Sequence, residues 1–311
     1  MARAVLLLVL PVLLGASAAS DKPETPAAVA PAGEVRHDVK GLSLRIDTSR
    51  AYPGGVLIAQ VRAAKAIGPA SFVLEGIRCP VYSGPGGLRA LVPVPLTTVA
   101  GPNVLGFEIR GRRGRRRIPI DVAIAAREFL VRRHAIPEAK KELLQRLERV
   151  RDSRLVLAAI RLESTAALAR GTIVPPVDAA PDPVFGAAET YLDATFVPLL
   201  TDGLYGDHHR GLDYPVPIGT AVAAPAAGIV TLAQPLAFAG QAVVIDHGRG
   251  VVSAFFHLSK IAVAVGDKVE PRTVLGASGD SGMAITPHLH WAVYVHGVAV
   301  DPAVLASIDL N

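Results

Sequence analysis

What this chain can fold into is limited first by a recurring unit, a short run of alternating apolar and polar residues closed off by glycine or proline. Between Val35 and Ala126 it appears as Leu42-Ser43-Leu44-Arg45-Ile46, Val56 to Val61, Ser71 to Leu74 and Val104 to Ile109. A period of two places every second side chain on one face, which suits a half-buried strand and not a helix. Several such strands between Gly/Pro turns predict an immunoglobulin-like β-sandwich over residues 35–126. The unit returns after Phe185, in Val222 to Ala224, Gly228 to Leu232, Ala242 to Ile245, Val251 to Phe256, Val274-Leu275 and Leu289 to Val295. Residues 185–311 are therefore expected to form an antiparallel sheet or partly open barrel, and the whole chain to be mainly β.

The intervening segments read differently. In 127–170, Pro137 suits a first helical turn, and Leu143, Leu147 and Val150 then recur at i, i+4 and i+7, with Lys140, Lys141, Arg146, Arg149 and Arg151 as the wet face. This predicts a helical connector. Residues 171–184 read as a Pro-rich linker, and the Ala/Pro-rich stretch 20–34 as a flexible one. At 311 residues, 50% hydrophobic and 19% charged, the chain has room for two globular cores.

The start of the chain bears on location. Arg3, the apolar run Val5 to Leu14 and the small residues Ala16 to Ala19 have the pattern of a signal peptide over 1–19. The run is too short to span a bilayer, for which about 20 apolar residues are needed. Export to the periplasm or to the cell envelope and exterior is expected, as a monomer with no stable membrane span and no nucleic-acid partner. Cys79, the single cysteine, has no partner for an internal disulfide and is expected as a buried thiol. The formal charge of +5 favours anionic surroundings. Six arginines between Arg110 and Arg117 suit either a solvated hairpin tip or a contact with an anionic envelope polymer.

Seven of the nine histidines lie between His208 and His296. In the strand that follows Pro287, His288 and His290 share one face while Leu289, Trp291 and Val293 take the other. His209 and Asp213 add a nitrogen and an oxygen donor from a loop in which Gly211 permits a tight backbone. Imidazole and carboxylate suit zinc, and with no cysteine nearby the set fits a catalytic site better than a structural one. The helical H-E-x-x-H motif is absent, and surplus histidines can serve in place of its glutamate to manage protons. His257, placed where an apolar strand closes, is suited to that by its near-neutral pKa. Gly279-Asp280-Ser281-Gly282 mimics the nucleophile motif of chymotrypsin-like proteases and is equally a β-turn sequence.

These residues carry a resemblance. His209-x-Gly211-x-Asp213, Val243-Val244-Ile245-Asp246-His247-Gly248, Phe256-His257-Leu258-Ser259, Gly266-Asp267-x-Val269, Gly276-x-x-Gly279 and Pro287-His288-Leu289-His290 resemble, in order, the lysostaphin/LytM-type zinc endopeptidases of bacterial cell walls. The match runs from about Leu204 to Pro302. It implies one zinc ion held by His209, Asp213 and His290, with His257 and His288 as the catalytic pair, and hydrolysis of peptide bonds in peptidoglycan. Degenerate relatives suggest the alternative of a non-enzymatic envelope protein that binds peptidoglycan or activates another cell-wall hydrolase. Tyr205-Gly206 is followed at once by Asp207-His208-His209, where the family commonly has a longer loop with an arginine. His208, His247 and His296 are expected in loops or turns.

Overall fold

The computed structural model describes residues 33–84, 86–111, 114–144, 146–162, 164–192 and 208–311. The signal segment, nearly all of the 20–34 linker, Arg112, Arg113 and the Tyr205 to Asp207 loop lie outside them. The N-terminal part is two antiparallel sheets. One contains β1 (Glu34–Val39), β2 (Leu42–Asp47), β3 (Val56–Ala63), β6 (Tyr82–Gly84) and β7 (Gly87–Pro93) in the order β1-β2-β3-β7-β6. The other contains β4 (Ala70–Leu74), β5 (Ile77–Pro80), β8 (Gly101–Gly111) and β9 (Gly114–Ile124) in the order β5-β4-β8-β9. Alternation sorts the faces: Leu42, Leu44 and Ile46 of β2 and Ile118, Ile120, Val122 and Ile124 of β9 turn into one shared core. Phe72 and Phe107 meet there with ring centroids 4.8 Å apart. Cys79 is buried in the same core and takes part in no disulfide.

The connector is not one helix. Residues Val131–Ala135 form a strand, β10, paired in parallel with β11 (Ala188–Leu192). A 3-10 segment follows at Glu138–Leu144, and only Arg146–Ile160 is an α-helix, α1. Leu143 therefore precedes the helix. It packs with Ile136, Phe238 and Met283, while α1 buries Val156, Ala159 and Ile160. Pairing with a distant strand decided the state of 131–135, which local periodicity does not report. The Pro-rich stretch is likewise no free spacer. Ile173 and Val177 are core residues, Val174 N donates to Pro225 O, and Ala223 N donates to Pro176 O.

The C-terminal part is a nine-stranded sheet. Its path β12-β19-β16-β15-β14-β17 comprises β12 (Leu212–Tyr214), β14 (Gly228–Leu236), β15 (Gly240–Gly248), β16 (Val251–Ile261), β17 (Lys268–Val269) and β19 (Leu289–Val295). Beside that path, β13 (Ala221–Ala223) pairs with β18 (Val274–Ser278), and β20 (Val298–Val300) pairs with β19. Its central strands are buried on both faces. Val243, Ile245, Phe255, Leu289, Trp291 and Val293 face a large core. The intervening Ala242, Val244, Ala254, Phe256, Ala292 and Tyr294 face α1. The large core also takes in Val56 and packs against Tyr52, Ile58, Leu91 and Leu96, so the sandwich and the C-terminal sheet are joined by shared apolar burial. Arg127 Nη2 lies 2.7 Å from Asp301 Oδ2 at that junction. Asp301 also caps the short helix α2 (Pro302–Leu305) through a bond from Ala303 N.

Candidate metal centre

Three of the predicted donors converge. Asp213 lies on β12, His290 on the neighbouring β19, and His209 just before β12, where its backbone exchanges bonds with Gly186 and Ala187. His290 Nδ1 is 3.0 Å from Asp213 Oδ1 and 3.1 Å from His209 Nε2, and His209 Nε2 is 3.1 Å from Asp213 Oδ1. A tetrahedral zinc site with bonds near 2.0–2.1 Å has edges of roughly 3.3 Å. The triangle needs to open by only a few tenths of an ångström to present one face of such a site. Two nitrogens and a carboxylate oxygen are also the donor chemistry that zinc accepts, and all three residues line the cleft, so an ion held by them would be reachable from it.

Gly211 explains why the loop comes so close. A Cβ there would sit 2.5 Å from Trp291 O and 2.7 Å from His290 Nε2, so any side chain would push into the His290 ring. Charge follows geometry. Burial works against ionisation of both His209 and Asp213. Their mutual attraction, with Asp213 also accepting bonds from His209 and His290, nevertheless raises the His209 pKa and holds the Asp213 carboxyl well below its usual range. Burial lowers the pKa of His290.

His257 and His288 stand beside this triangle. Their ring centroids are 4.8 Å apart, and His257 lies 6.2 Å from the His290 ring. His257 does not close its strand, because β16 continues to Ile261. It occupies a bulge: Gln241 pairs with Leu258 and Val243 with Phe255, so Phe256 and His257 oppose the single residue Ala242. His257 adopts φ 62°, in the left-handed region that costs a non-glycine residue energy. The extra residue breaks the alternation. Phe255 and Leu258 both enter the large core, and the imidazole between them is left to line the cleft.

The tautomers follow from the partners. His257 Nδ1 is 2.9 Å from Ser281 O and His288 Nδ1 is 2.7 Å from Thr286 O. A carbonyl only accepts, so each Nδ1 carries the proton and each neutral ring keeps its lone pair on Nε2. His288 Nε2 is 3.6 Å from Asp213 Oδ1. Burial, reinforced by the neighbouring His288 and His290, holds the His257 pKa well below the usual imidazole value.

The cleft has a wall that sequence reasoning missed. Arg132 and His134 on β10 and Glu189 on β11 line it. His134 Nε2 is 3.2 Å from Glu189 Oε1, and Arg132 Nη1 lies 3.5 Å from Glu189 Oε1 and 3.7 Å from Asp213 Oδ2. No motif spacing links these positions to the histidine cluster; only the parallel pairing of β10 with β11 brings them there. His247 also differs from expectation. It is buried within β15, with Nδ1 2.8 Å from Ala227 O and Nε2 2.9 Å from Ser253 Oγ. His296 sits between β19 and β20 at φ 49°, and His208 lines the cleft mouth. Ser281 is no nucleophile in this arrangement: its Oγ donates to Leu258 O at 2.6 Å and accepts from Gln241 N at 2.9 Å.

Residues 207–302 match the model of peptidase family M23. A Vibrio cholerae relative named peptidoglycan DD-endopeptidase ShyA is 39% identical over 102 residues, 33% of this chain and 24% of that protein. The chain spans about a quarter of the length of the curated relatives it matches. The catalytic domain of lysostaphin from Staphylococcus simulans is 30% identical, covering 35% of this chain and 86% of that one, with a TM-score of 0.32. A crystal structure from Pseudomonas aeruginosa assigned to peptidase M23 is 31% identical, covers 83% of this chain and 95% of its own, and has a TM-score of 0.60. With a solved M23 chain matched along nearly its whole length, this protein belongs to peptidase family M23, the metallopeptidases of lysostaphin/LytM type.

Proposed function

We propose that the protein is an exported zinc endopeptidase that hydrolyses peptide bonds in peptidoglycan stems or cross-links. His209, Asp213 and His290 hold the ion, and His257 and His288 handle the protons. The observation that carries this reading is the pairing of a three-donor triangle, with edges of 3.0 to 3.1 Å, with two imidazoles whose protons are pinned on Nδ1. The bound ion supplies Lewis acidity toward the scissile carbonyl and toward water. The chain's own residues do the rest. The unprotonated Nε2 of His257 or His288 accepts a hydrogen bond from the attacking water and takes its proton as the oxygen–carbon bond forms. That ring, now protonated on both nitrogens, returns the proton to the departing amine as the carbon–nitrogen bond breaks. The other imidazole keeps the water aligned.

Peptidoglycan as substrate is supported by the name of the Vibrio cholerae relative. Export is supported by the signal-like pattern of residues 1–19. Among the described residues, no helix is long and apolar enough to cross a membrane. The β8–β9 hairpin presents exposed Arg115, Arg116 and Arg117, and this cluster supports contact with an anionic envelope polymer even though Arg115 already lies 3.6 Å from Glu108. We take the working unit to be a monomer, with the sandwich as residues 35–126 and the peptidase unit as 185–311 completed by β10 and α1.

The test is incubation of the purified chain with peptidoglycan, with and without chelator and with a serine-directed inhibitor. Cleavage should stop with chelator, return with zinc and ignore the inhibitor. His257→Ala should keep the metal and lose turnover, whereas His290→Ala should lose the metal itself. Chelator-insensitive cleavage would overturn the metal reading, and absence of cleavage with zinc bound would favour the binding or activator role.

A further inference from the structure

The upstream 3-10 segment reaches the proton-handling machinery through one side chain. Lys140 Nζ donates to three carbonyls of a single turn: Asp280 O at 2.8 Å, Gly282 O at 2.9 Å, and Ala284 O. An ammonium has three N–H donors and no acceptor, so this turn satisfies it completely. The same turn carries Ser281, whose carbonyl accepts the Nδ1 proton of His257. It is pressed flat against the strand start beneath it. Gly282 has φ +64°, and a Cβ there would meet Gly240 N at 2.3 Å and Phe238 O at 2.4 Å. Ile136 and Leu143, which flank Lys140, pack on Phe238 and Met283 from the other side. On the strand side the turn is held by Met283 N donating to Phe238 O at 2.8 Å and by the two bonds of Ser281 Oγ to Leu258 O and Gln241 N, which leaves its carbonyls on the opposite side to be held by what grips them there. Among the described residues, Lys140 is the only cation that bonds those carbonyls.

We propose that Lys140 is a positioning residue for His257: by gathering the carbonyls of turn 280–284 it fixes the Ser281 carbonyl, and with it the tautomer and aim of the imidazole. The proposal rests on the proton-handling role given to His257 above. It makes the segment before the family-matched region part of the working site. Lys141, one residue on, pairs with Glu138 at 2.6 Å and bonds no part of the turn, and so provides an internal control.

The experiment compares full-length K140M and K141M, loaded with zinc, for metal content, for kcat and KM on peptidoglycan fragments, and for the imidazole Nδ1–H signal of His257 in proton–nitrogen NMR. K140M should keep its zinc, lose roughly ten- to hundredfold in kcat with KM within about twofold, and lose or broaden the His257 signal. K141M should match the parent. In a His257→Ala background, K140M should cost little more, because both changes remove the same function. An unchanged kcat, an unchanged His257 signal, or a full multiplicative loss in the His257→Ala background would overturn the proposal. Should K140M not fold, K140R carries the same readings, since a planar guanidinium does not converge on three carbonyls as an ammonium does. If the parent itself cleaves nothing, the functional reading fails, while the NMR comparison still decides whether Lys140 sets the imidazole.

Discussion

Asp213 and His290 face each other as direct register partners across the antiparallel pair β12 and β19, and the carboxylate oxygen of one lies 3.0 Å from Nδ1 of the other. Two of the three candidate donors are thus fixed by a ladder and not by a loop, which limits how far their geometry relaxes. Asp213→Asn keeps the shape and the register but removes the charge. The variant is expected to fold and to bind zinc at least tenfold more weakly in a chelator competition. Equal affinity would show that the carboxylate is not a ligand.

Gly211 offers a sharper test of the same geometry. A methyl group there is 2.5 Å from Trp291 O and 2.7 Å from His290 Nε2, and the first of these is backbone in a central strand that has no room to retreat. Gly211→Ala should therefore displace His290 or the β12 loop and weaken zinc binding by an order of magnitude or more. The destabilisation of the metal-free fold should stay within about 1–3 kcal/mol, the usual range for overpacking. Calorimetric zinc titration with urea unfolding separates the two effects; unchanged zinc affinity contradicts the close approach.

The sequence was most informative where chemistry and period coincide. His288 and His290 could be placed on one face because Leu289, Trp291 and Val293 demand the other, and the structure buries all three in the large core. His209, Asp213 and His257 were recognisable as residue types without another task. The position of His257 was not legible, since a bulge opposite Ala242 is a property of two strands and not of one. Arg132, His134 and Glu189 were invisible for a related reason. The pairing of β10 with β11 joins residues more than fifty positions apart, and the sequence around Arg132 reads locally only as part of a helical connector. The same blindness to long-range pairing made the connector look like one helix.

That pairing bears on where the catalytic unit begins. A fragment of residues 185–311 matches the sequence-level boundary but lacks β10, Lys140 and α1. It would expose the face carrying Leu232, Val244, Phe256 and Tyr294, against which Val156 and Ile160 are buried. Burial of side chains of that size contributes about 1.5–3 kcal/mol each. The fragment should therefore melt well below the full chain, by roughly 10 °C or more, or self-associate through the uncovered face. Thermal unfolding and size-exclusion chromatography check this, and a monomeric fragment with parental stability would show that the upstream segment is dispensable.

Stability should also respond to pH through a histidine that has no part in the metal site. His247 donates Nδ1–H to Ala227 O and accepts from Ser253 Oγ, and burial lowers its pKa to about 4 from an ordinary 6.5. In the unfolded chain the imidazole takes its proton near 6.5, so between that value and about 4 the unfolded state binds the extra proton and is favoured as pH falls. The neutral buried ring contributes fully above 6.5 and nothing below about 4, a difference of roughly 3 kcal/mol across the window. His247→Gln preserves a donor and an acceptor but does not titrate. Urea unfolding of both proteins from pH 7.5 to 4 should show the parent losing about 3 kcal/mol more than the variant, most of it between pH 6.5 and 4, since the carboxylates and metal-site histidines are common to both. Parallel stability curves for the two proteins would mean that His247 takes its proton in the fold at the same pH as in the unfolded chain, and that burial does not lower its pKa.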